Sequence, residues 1–243
     1  MQYFFNTITK IRHYCIKLHK NVKKLLQNEE TGYKIATSFT ERGIVMIQSL
    51  PVYLASASPR RREILAKLGL KFDVEVSETE EITRKTAPEE IVQDLAKQKA
   101  SAVAGKHINE NCMIIGSDTI VWLNGHALGK PADDAEAARM LRSLSGNTHT
   151  VYTGVCLCRC ENGKITAETF ADAADVTFLE MSDEEIAWYV STGECSDKAG
   201  AYAVQGLGAR FVKKIKGDFY TVMGLPMARL YEELRRRCFF RSE

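Results

Sequence analysis

The period of apolar and polar residues changes several times along this chain, and each change marks an element. Val52–Ala55 is a short apolar run of the kind that forms a buried strand. Ser58 is then a good helix N-cap, Pro59 suits the first helical position, and Ile64, Leu65 and Leu68 form an apolar face before Gly69 ends the helix. Residues 71–76 predict a strand and residues 88–104 a helix with Ile91, Leu95 and Val103 on its apolar face. Residues 113–123 predict a long strand that turns at Asn124-Gly125, a strong hairpin signal. A helix over 132–144 follows, with Asp133 and Asp134 in its first turn. Residues 148–160 and 166–178 read as two strands joined by Glu161-Asn-Gly-Lys164. Ser182 opens a helix through Ser191, and Glu185 completes a capping box. Short strands are expected at 201–204 and 211–215, and a closing helix over 226–237. Helices mixed with obvious hairpins define an α/β fold with a mixed, not purely parallel, sheet.

The first segment has a different pattern. Phe4, Ile8, Ile11, Cys15, Leu18, Val22 and Leu25 recur at steps of four and three, with lysines and one arginine between them. That is a basic amphipathic helix. It suits an anionic membrane surface or a targeting role; a dispensable extension ahead of Met46 is the other reading. The chain is therefore divided into an extension, 1–49, and a body, 50–243, without internal repeats or low-complexity linkers in the body.

Charge sharpens that division. Residues 1–49 hold eight Lys or Arg against three acidic residues, whereas residues 50–243 hold 25 basic and 28 acidic residues, a balance of −3. A body of negative net charge lacks the broad basic footprint of a nucleic-acid binder, so its arginines are aimed at a small anion. No apolar run approaches the roughly 20 residues of a membrane-spanning helix. Seven cysteines are present, and Cys156, Cys158 and Cys160 alternate on one predicted strand, so their sulfurs share a face. That spacing suits reduced structural or surface thiols rather than zinc or redox pairs.

Arg60, Arg61 and Arg62 stand at the start of the helix that Ser58 caps. Free backbone N–H groups, the positive end of the helix dipole and the forked donors together suit a phosphate; a solvated basic helix start is the alternative. Asp118 lies inside Met113-Ile-Ile-Gly-Ser-Asp-Thr-Ile-Val-Trp122, where an unpartnered carboxylate is costly. It is either an ion-paired structural residue or a divalent-metal ligand that also orients or deprotonates water. Asp118 and Thr119 are adjacent, so both line one site only if the strand ends or bulges there. Glu78, Glu80 and Glu81 offer a second carboxylate for Mg²⁺. Lys130 is fixed between Gly129 and Pro131, Gln205 ends an apolar stretch with a donor and an acceptor, and His149 reads as structural. Neither a nucleophile elbow nor a P-loop occurs, which favours direct attack by water.

Eight segments in one order carry a resemblance: Ser56-Ala-Ser-Pro-Arg-Arg-Arg62, Ser77-Glu-Thr-Glu-Glu81, Leu95-Ala-Lys-Gln-Lys-Ala100, Gly116-Ser-Asp-Thr119, Gly129-Lys-Pro131, Thr148-His-Thr-Val-Tyr-Thr-Gly154, Asp197-Lys-Ala-Gly-Ala-Tyr-Ala-Val-Gln-Gly206 and Met223-Gly-Leu-Pro226. From Val52 to Glu233 the chain resembles the Maf family of nucleoside triphosphate pyrophosphatases. The resemblance implies an inosine triphosphatase-like architecture of two lobes around a cleft. It makes Asp118 the proton acceptor and, with Glu81, a ligand of Mg²⁺ or Mn²⁺. Ser58, Arg61, Lys99 and Lys130 become substrate-binding residues. Arg60, Thr119 and Gln205 match the base-selecting positions of the dTTP/UTP subgroup. The implied activity is hydrolysis of dTTP, UTP and modified pyrimidine nucleotides to the monophosphate and pyrophosphate, in the cytoplasm, with a homodimer as the assembly to test. The 7-methyl-GTP branch and a regulator of septation that needs no turnover are the alternatives.

Overall fold

The computed structural model describes residues 47–76, 81–237 and 239–241. The basic helix expected in the first segment, and Glu78 and Glu80, lie outside the described residues.

The chain enters the body through β1 (Val52–Ala55), which leads into α1 (Pro59–Lys67). As the sequence predicts, Ser58 caps α1, its hydroxyl accepting from the Arg61 N–H at 3.5 Å, and Pro59 occupies the first turn. Next come β2 (Asp73–Val74), α2 (Pro88–Lys106), β3 (Cys112–Leu123) and β4 (His126–Leu128). α3 (Asp134–Leu144) precedes the long hairpin of β5 (Thr148–Glu161) and β6 (Lys164–Phe178). α4 (Asp183–Ser191), β7 (Val212–Lys216), α5 (Phe219–Met223) and α6 (Met227–Arg236) complete the body.

One sheet runs in the order β2-β1-β3-β5-β6-β7, with β4 beside the end of β3. β1 is parallel to both β2 and β3, and the remaining pairs are antiparallel, so the sheet is mixed. Both hairpins turn where the sequence places them. Asn124 and Gly125, and Asn162 and Gly163, have positive φ, the left-handed backbone that a two-residue turn between antiparallel strands requires.

Three expectations are corrected. The strand expected at 71–76 shrinks to β2, whose Val74 stays exposed at the sheet edge. The one expected at 201–204 does not form, because Gly200 and Ala201 take φ of 69° and 59° and turn the chain instead. Asp133 precedes α3 as its N-cap, accepting from the Glu136 N–H at 2.7 Å.

The apolar face of α2 is also different. Its buried residues are Val92, Ala96, Ala100, Val103 and Ala104, while Ile91 and Leu95 are only half-buried. Small residues face the sheet because the helix backbone nearly touches it. A Cβ on Gly116 would meet the Ala100 Cβ at 2.8 Å, and one on Gly154 would meet the Gln93 nitrogen at 2.7 Å and collide with the Val92 carbonyl. Cys112, Cys156, Cys158 and Cys160 are buried in this same layer as free thiols, which makes them structural rather than surface groups. Burial, with Cys160 close by, pushes the Cys112 thiol up to about 12.

Two larger apolar clusters sit at opposite ends of β3. Met113 and Ile115 belong to one, with α1 and α6; Val121 and Leu123 belong to the other, with α3 and α4. Ser117, Asp118 and Thr119 fall between them. No helix among the described residues is long and apolar enough to cross a membrane.

Candidate active site

The middle of β3 is open along one edge. β5 covers the whole of its other edge, from Cys112 opposite Cys160 to Trp122 opposite Thr150. On the open side β1 pairs only as far as Gly116, and β4 joins only at Val121. Residues 117–120 therefore border a gap between two neighbouring strands. β3 neither ends nor bulges there, so the expectation that one of these must happen is corrected: the neighbouring strand ends, and Asp118 and Thr119 flank the gap from opposite faces of a regular strand.

On the α2 face, Lys99 is ion-paired with Asp118 and with Glu81, the latter at 2.9 Å. The close fit of α2 over Gly116 and Gly154 sets Lys99 above Asp118, two residues further along β3. The Lys99 and Asp118 side chains are 16% and 13% exposed, so their attraction is screened less than that of a surface pair. An ammonium thus joins two of the predicted site carboxylates.

On the other face, Arg61 reaches across from α1. Its Nε donates to the Gly224 carbonyl at 2.8 Å, Nη1 to Ser56 Oγ at 3.1 Å and Nη2 to Thr119 Oγ1 at 3.2 Å. Burial draws its pKa below the usual arginine range, against the opposing pull of Asp118 and Glu81. Arg61 is therefore within electrostatic reach of the carboxylates on the far side of the strand. Thr119 also shares a hydrogen bond with Thr153 at 2.9 Å, and Thr153 donates to the Thr221 carbonyl at 2.7 Å. The buried Ser117 hydroxyl is shared by the carbonyls of Gly154 and Gly224, tying β3 to β5 and to the end of α5.

The remaining predicted residues make other contacts. Arg60 is partly exposed and close enough to lower the pKa of Asp197, after the larger effect of Lys198. Gln205 faces Glu63 on the following turn of α1 and, behind the larger effect of Lys67, helps hold that carboxyl below its usual range. Thr119 meets Arg61 and Thr153 while Gln205 meets Glu63, so the expected base-selecting residues contact different side chains. Lys130 is exposed, in a loop pinned where the Gly200 N–H donates to the Gly129 carbonyl at 3.0 Å. His149 is buried against Phe178 and Tyr202, its Nε2 2.8 Å from the Tyr202 hydroxyl, and burial pushes its pKa down to about 4. It stays a neutral core residue, in keeping with the structural reading.

Sequence reasoning missed several supporting groups. Ser56 and Thr153 lie in family-like segments but carry no marker of their own, and Thr153 emerges only once β3 and β5 are set in register. Glu194 lies outside every such segment. Its carboxylate accepts from the N–H groups of Leu207 and Gly208, both at 2.9 Å, and from the Tyr189 hydroxyl at 2.8 Å. Tyr189 in turn accepts from the Ala203 N–H at 3.1 Å. These bonds bracket the irregular segment that carries Gln205. Burial disfavours the Glu194 charge, but the Leu207 and Gly208 amides, the Tyr189 hydroxyl and Lys198 together outweigh it and lower the pKa.

A capped helix start with an arginine fork lies beside an ammonium held by two carboxylates, an arrangement whose donors suit the oxygens of a small polyanion. The chain belongs to the Maf family: the model described as "Maf-like protein" matches residues 51–237. Among its curated relatives, the dTTP/UTP pyrophosphatase of Koribacter versatilis is 51% identical over 184 residues, covering 75% of this chain and 92% of that protein. That of Bacillus cytotoxicus is also 51% identical over 184 residues, covering 75% and 93%. That of Lachnoclostridium phytofermentans is 49% identical over 186 residues, covering 76% and 94%. The solved nucleoside-triphosphatase / dITP/XTP pyrophosphatase of Mycobacterium abscessus aligns with a TM-score of 0.39 and 16% identity, over 78% of this chain and 98% of that one. At that level the likeness adds nothing to the family assignment.

Proposed function

We propose that this chain hydrolyses dTTP and UTP between the α and β phosphates, releasing the monophosphate and pyrophosphate. The observation that carries the reading is Lys99 bridging Asp118 and Glu81 at the gap in β3, in a chain about half identical to curated dTTP/UTP pyrophosphatases.

The first turn of α1 offers the Arg60 N–H and the helix dipole to the phosphates, and Arg61 keeps side-chain N–H donors beyond its three protein bonds. A triphosphate competes with Asp118 for the Lys99 ammonium. Drawing Lys99 toward the phosphates frees Asp118 to accept the proton of the attacking water, while Lys99 and Lys130 offset charge on the leaving pyrophosphate. Arg60, Thr119 and Gln205 read the base.

The donor set fits a divalent cation. Among the described residues no cluster of three or more His, Cys, Asp or Glu forms an all-protein cage. Mg²⁺ needs none, since it commonly takes one or two carboxylates and completes its shell with water and substrate phosphate. Asp118 and Glu81 would hold it, and Mg²⁺ or Mn²⁺ would supply positive charge beside the phosphates. We place this activity in the cytoplasm.

The test is pyrophosphate release from dTTP, UTP, CTP, ATP, GTP and 7-methyl-GTP. Uracil and thymine differ only at C5, so their kcat/KM values should agree within about an order of magnitude and exceed those of the purines. A preference for 7-methyl-GTP would overturn the base assignment; absence of pyrophosphate from every substrate would overturn the reaction.

A further inference from the structure

We propose that Thr153 is a positioning residue for base selection: it holds the hydroxyl proton of Thr119 and leaves Thr119 Oγ1 able only to accept, which favours bases that carry N3–H. The inference rests on the reading above that Thr119 meets the base edge.

The direction of the hydrogen bonds follows from proton counting. A hydroxyl has one proton. Thr153 gives its proton to the Thr221 carbonyl at 2.7 Å, and a carbonyl cannot return one. Toward Thr119, 2.9 Å away, Thr153 can therefore only accept, and Thr119 must supply that proton. Arg61 Nη2 donates to Thr119 Oγ1 at 3.2 Å and takes one of its two lone pairs. One lone pair remains, and no proton.

The chain of bonds is fixed at its far end. Thr153 is fully buried, and Thr221 sits in α5, where its carbonyl also accepts the Gly224 N–H at 3.1 Å and its side chain donates to Asp172. Reversing the Thr119–Thr153 bond would take the hydroxyl donor from the Thr221 carbonyl and leave it only the Gly224 N–H, at the cost of one buried hydrogen bond.

Uracil and thymine present a donor at N3, and cytosine presents an acceptor on a ring of the same size. Against an oxygen that can only accept, the first pair forms a hydrogen bond, while cytosine sets two acceptors face to face. Such a mismatch discriminates by roughly 10- to 100-fold. Sterics alone would not separate UTP from CTP.

The experiment compares kcat and KM for UTP and CTP in the intact chain and in Thr153→Val, Thr153→Ser and Thr119→Val. Valine keeps the volume of threonine but neither donates nor accepts, so the Thr119 proton becomes free to turn toward cytosine N3. The UTP:CTP ratio of kcat/KM should then fall by about tenfold, with the change in KM larger than that in kcat, and serine should restore it. Thr119→Val should abolish most of the ratio. A wild-type ratio in Thr153→Val beside a collapsed ratio in Thr119→Val would overturn the relay and leave the reading of Thr119 standing. An unchanged ratio in Thr119→Val would overturn that reading and the relay with it. Should Thr153→Val fail to fold, Thr153→Cys supplies a weaker donor of similar size: an intermediate ratio supports the relay and a wild-type ratio overturns it.

Discussion

The two faces of β3 carry different kinds of chemistry one residue apart. On the α2 face, Asp118, Lys99 and Glu81 form a charged group whose members can exchange partners, since one ammonium serves two carboxylates. On the α1 face, Arg61, Thr119, Thr153 and the Gly224 and Thr221 carbonyls form a chain in which each observed bond has a settled direction. On the function proposed above, a regular strand separates reaction from holding. The face with a redistributable charge suits proton transfer, and the face with fixed donors suits orientation of a ligand.

The strongest break in this contrast is Asp118→Asn, which keeps the shape of the side chain and removes its charge. Turnover should fall by roughly 10²- to 10⁴-fold, as for loss of a general base, with the folded state retained. Pyrophosphate release near the wild-type rate would mean that Asp118 only pairs with Lys99.

Arg61→Lys attacks the other face. Lysine keeps the charge but cannot span Ser56, Thr119 and the Gly224 carbonyl with one planar fork, so kcat/KM should drop by about 10²-fold, the scale of one lost oriented donor. Activity within a few-fold of wild type would show that charge alone suffices there.

Gly154→Ala tests how α2 is held. The added methyl meets the α2 backbone rather than a flexible side chain, so helix and sheet must separate, at about 1–3 kcal/mol. Thermal unfolding should show a lower midpoint, together with weaker turnover as Lys99 moves off Asp118. An unaltered melting temperature would contradict the close approach.

The smallest effect lies at the far end of α2. His107 sits between Glu75, 2.7 Å from Nε2, and Glu110, 2.8 Å from Nδ1. Burial lowers its pKa, but the bonds to Glu75 and Glu110 outweigh burial and raise it above the ordinary histidine value. The folded state therefore binds the proton more tightly than the unfolded chain. This contribution is full below the unfolded pKa of about 6.5 and is lost as pH rises through the higher folded value. His107→Gln should thus destabilise more at pH 6 than at pH 9 in thermal melts; the opposite order would refute the pairing.

Much of this architecture was legible because its signals are local. The Ser58 cap, the Ser182–Glu185 capping box and the two Asn-Gly turns each depend on a few neighbouring residues, and all of them form. The buried face of α2 was not legible. Ile91 and Leu95 are its larger apolar side chains, but close contact with two glycines on different strands selects alanines instead. Nor does local pattern announce the left-handed Ala201, which cancels a strand. Asp118, Lys99 and Glu81 could be named individually, but their meeting at one ammonium depends on where α2 docks. Thr153 was invisible for a similar reason: its role depends on strand register and on a carbonyl in α5.

Binding of a UTP analogue with a methylene bridge between the α and β phosphates, measured by calorimetry on Asp118→Asn and Arg61→Lys, tests the division between the two faces most directly. Without divalent cation, Asp118→Asn should keep at least most of the wild-type affinity, because the removed charge serves the reaction and competes with the phosphates for Lys99, and Arg61→Lys should bind at least about tenfold more weakly. Loss of binding in Asp118→Asn with full binding in Arg61→Lys would contradict that division.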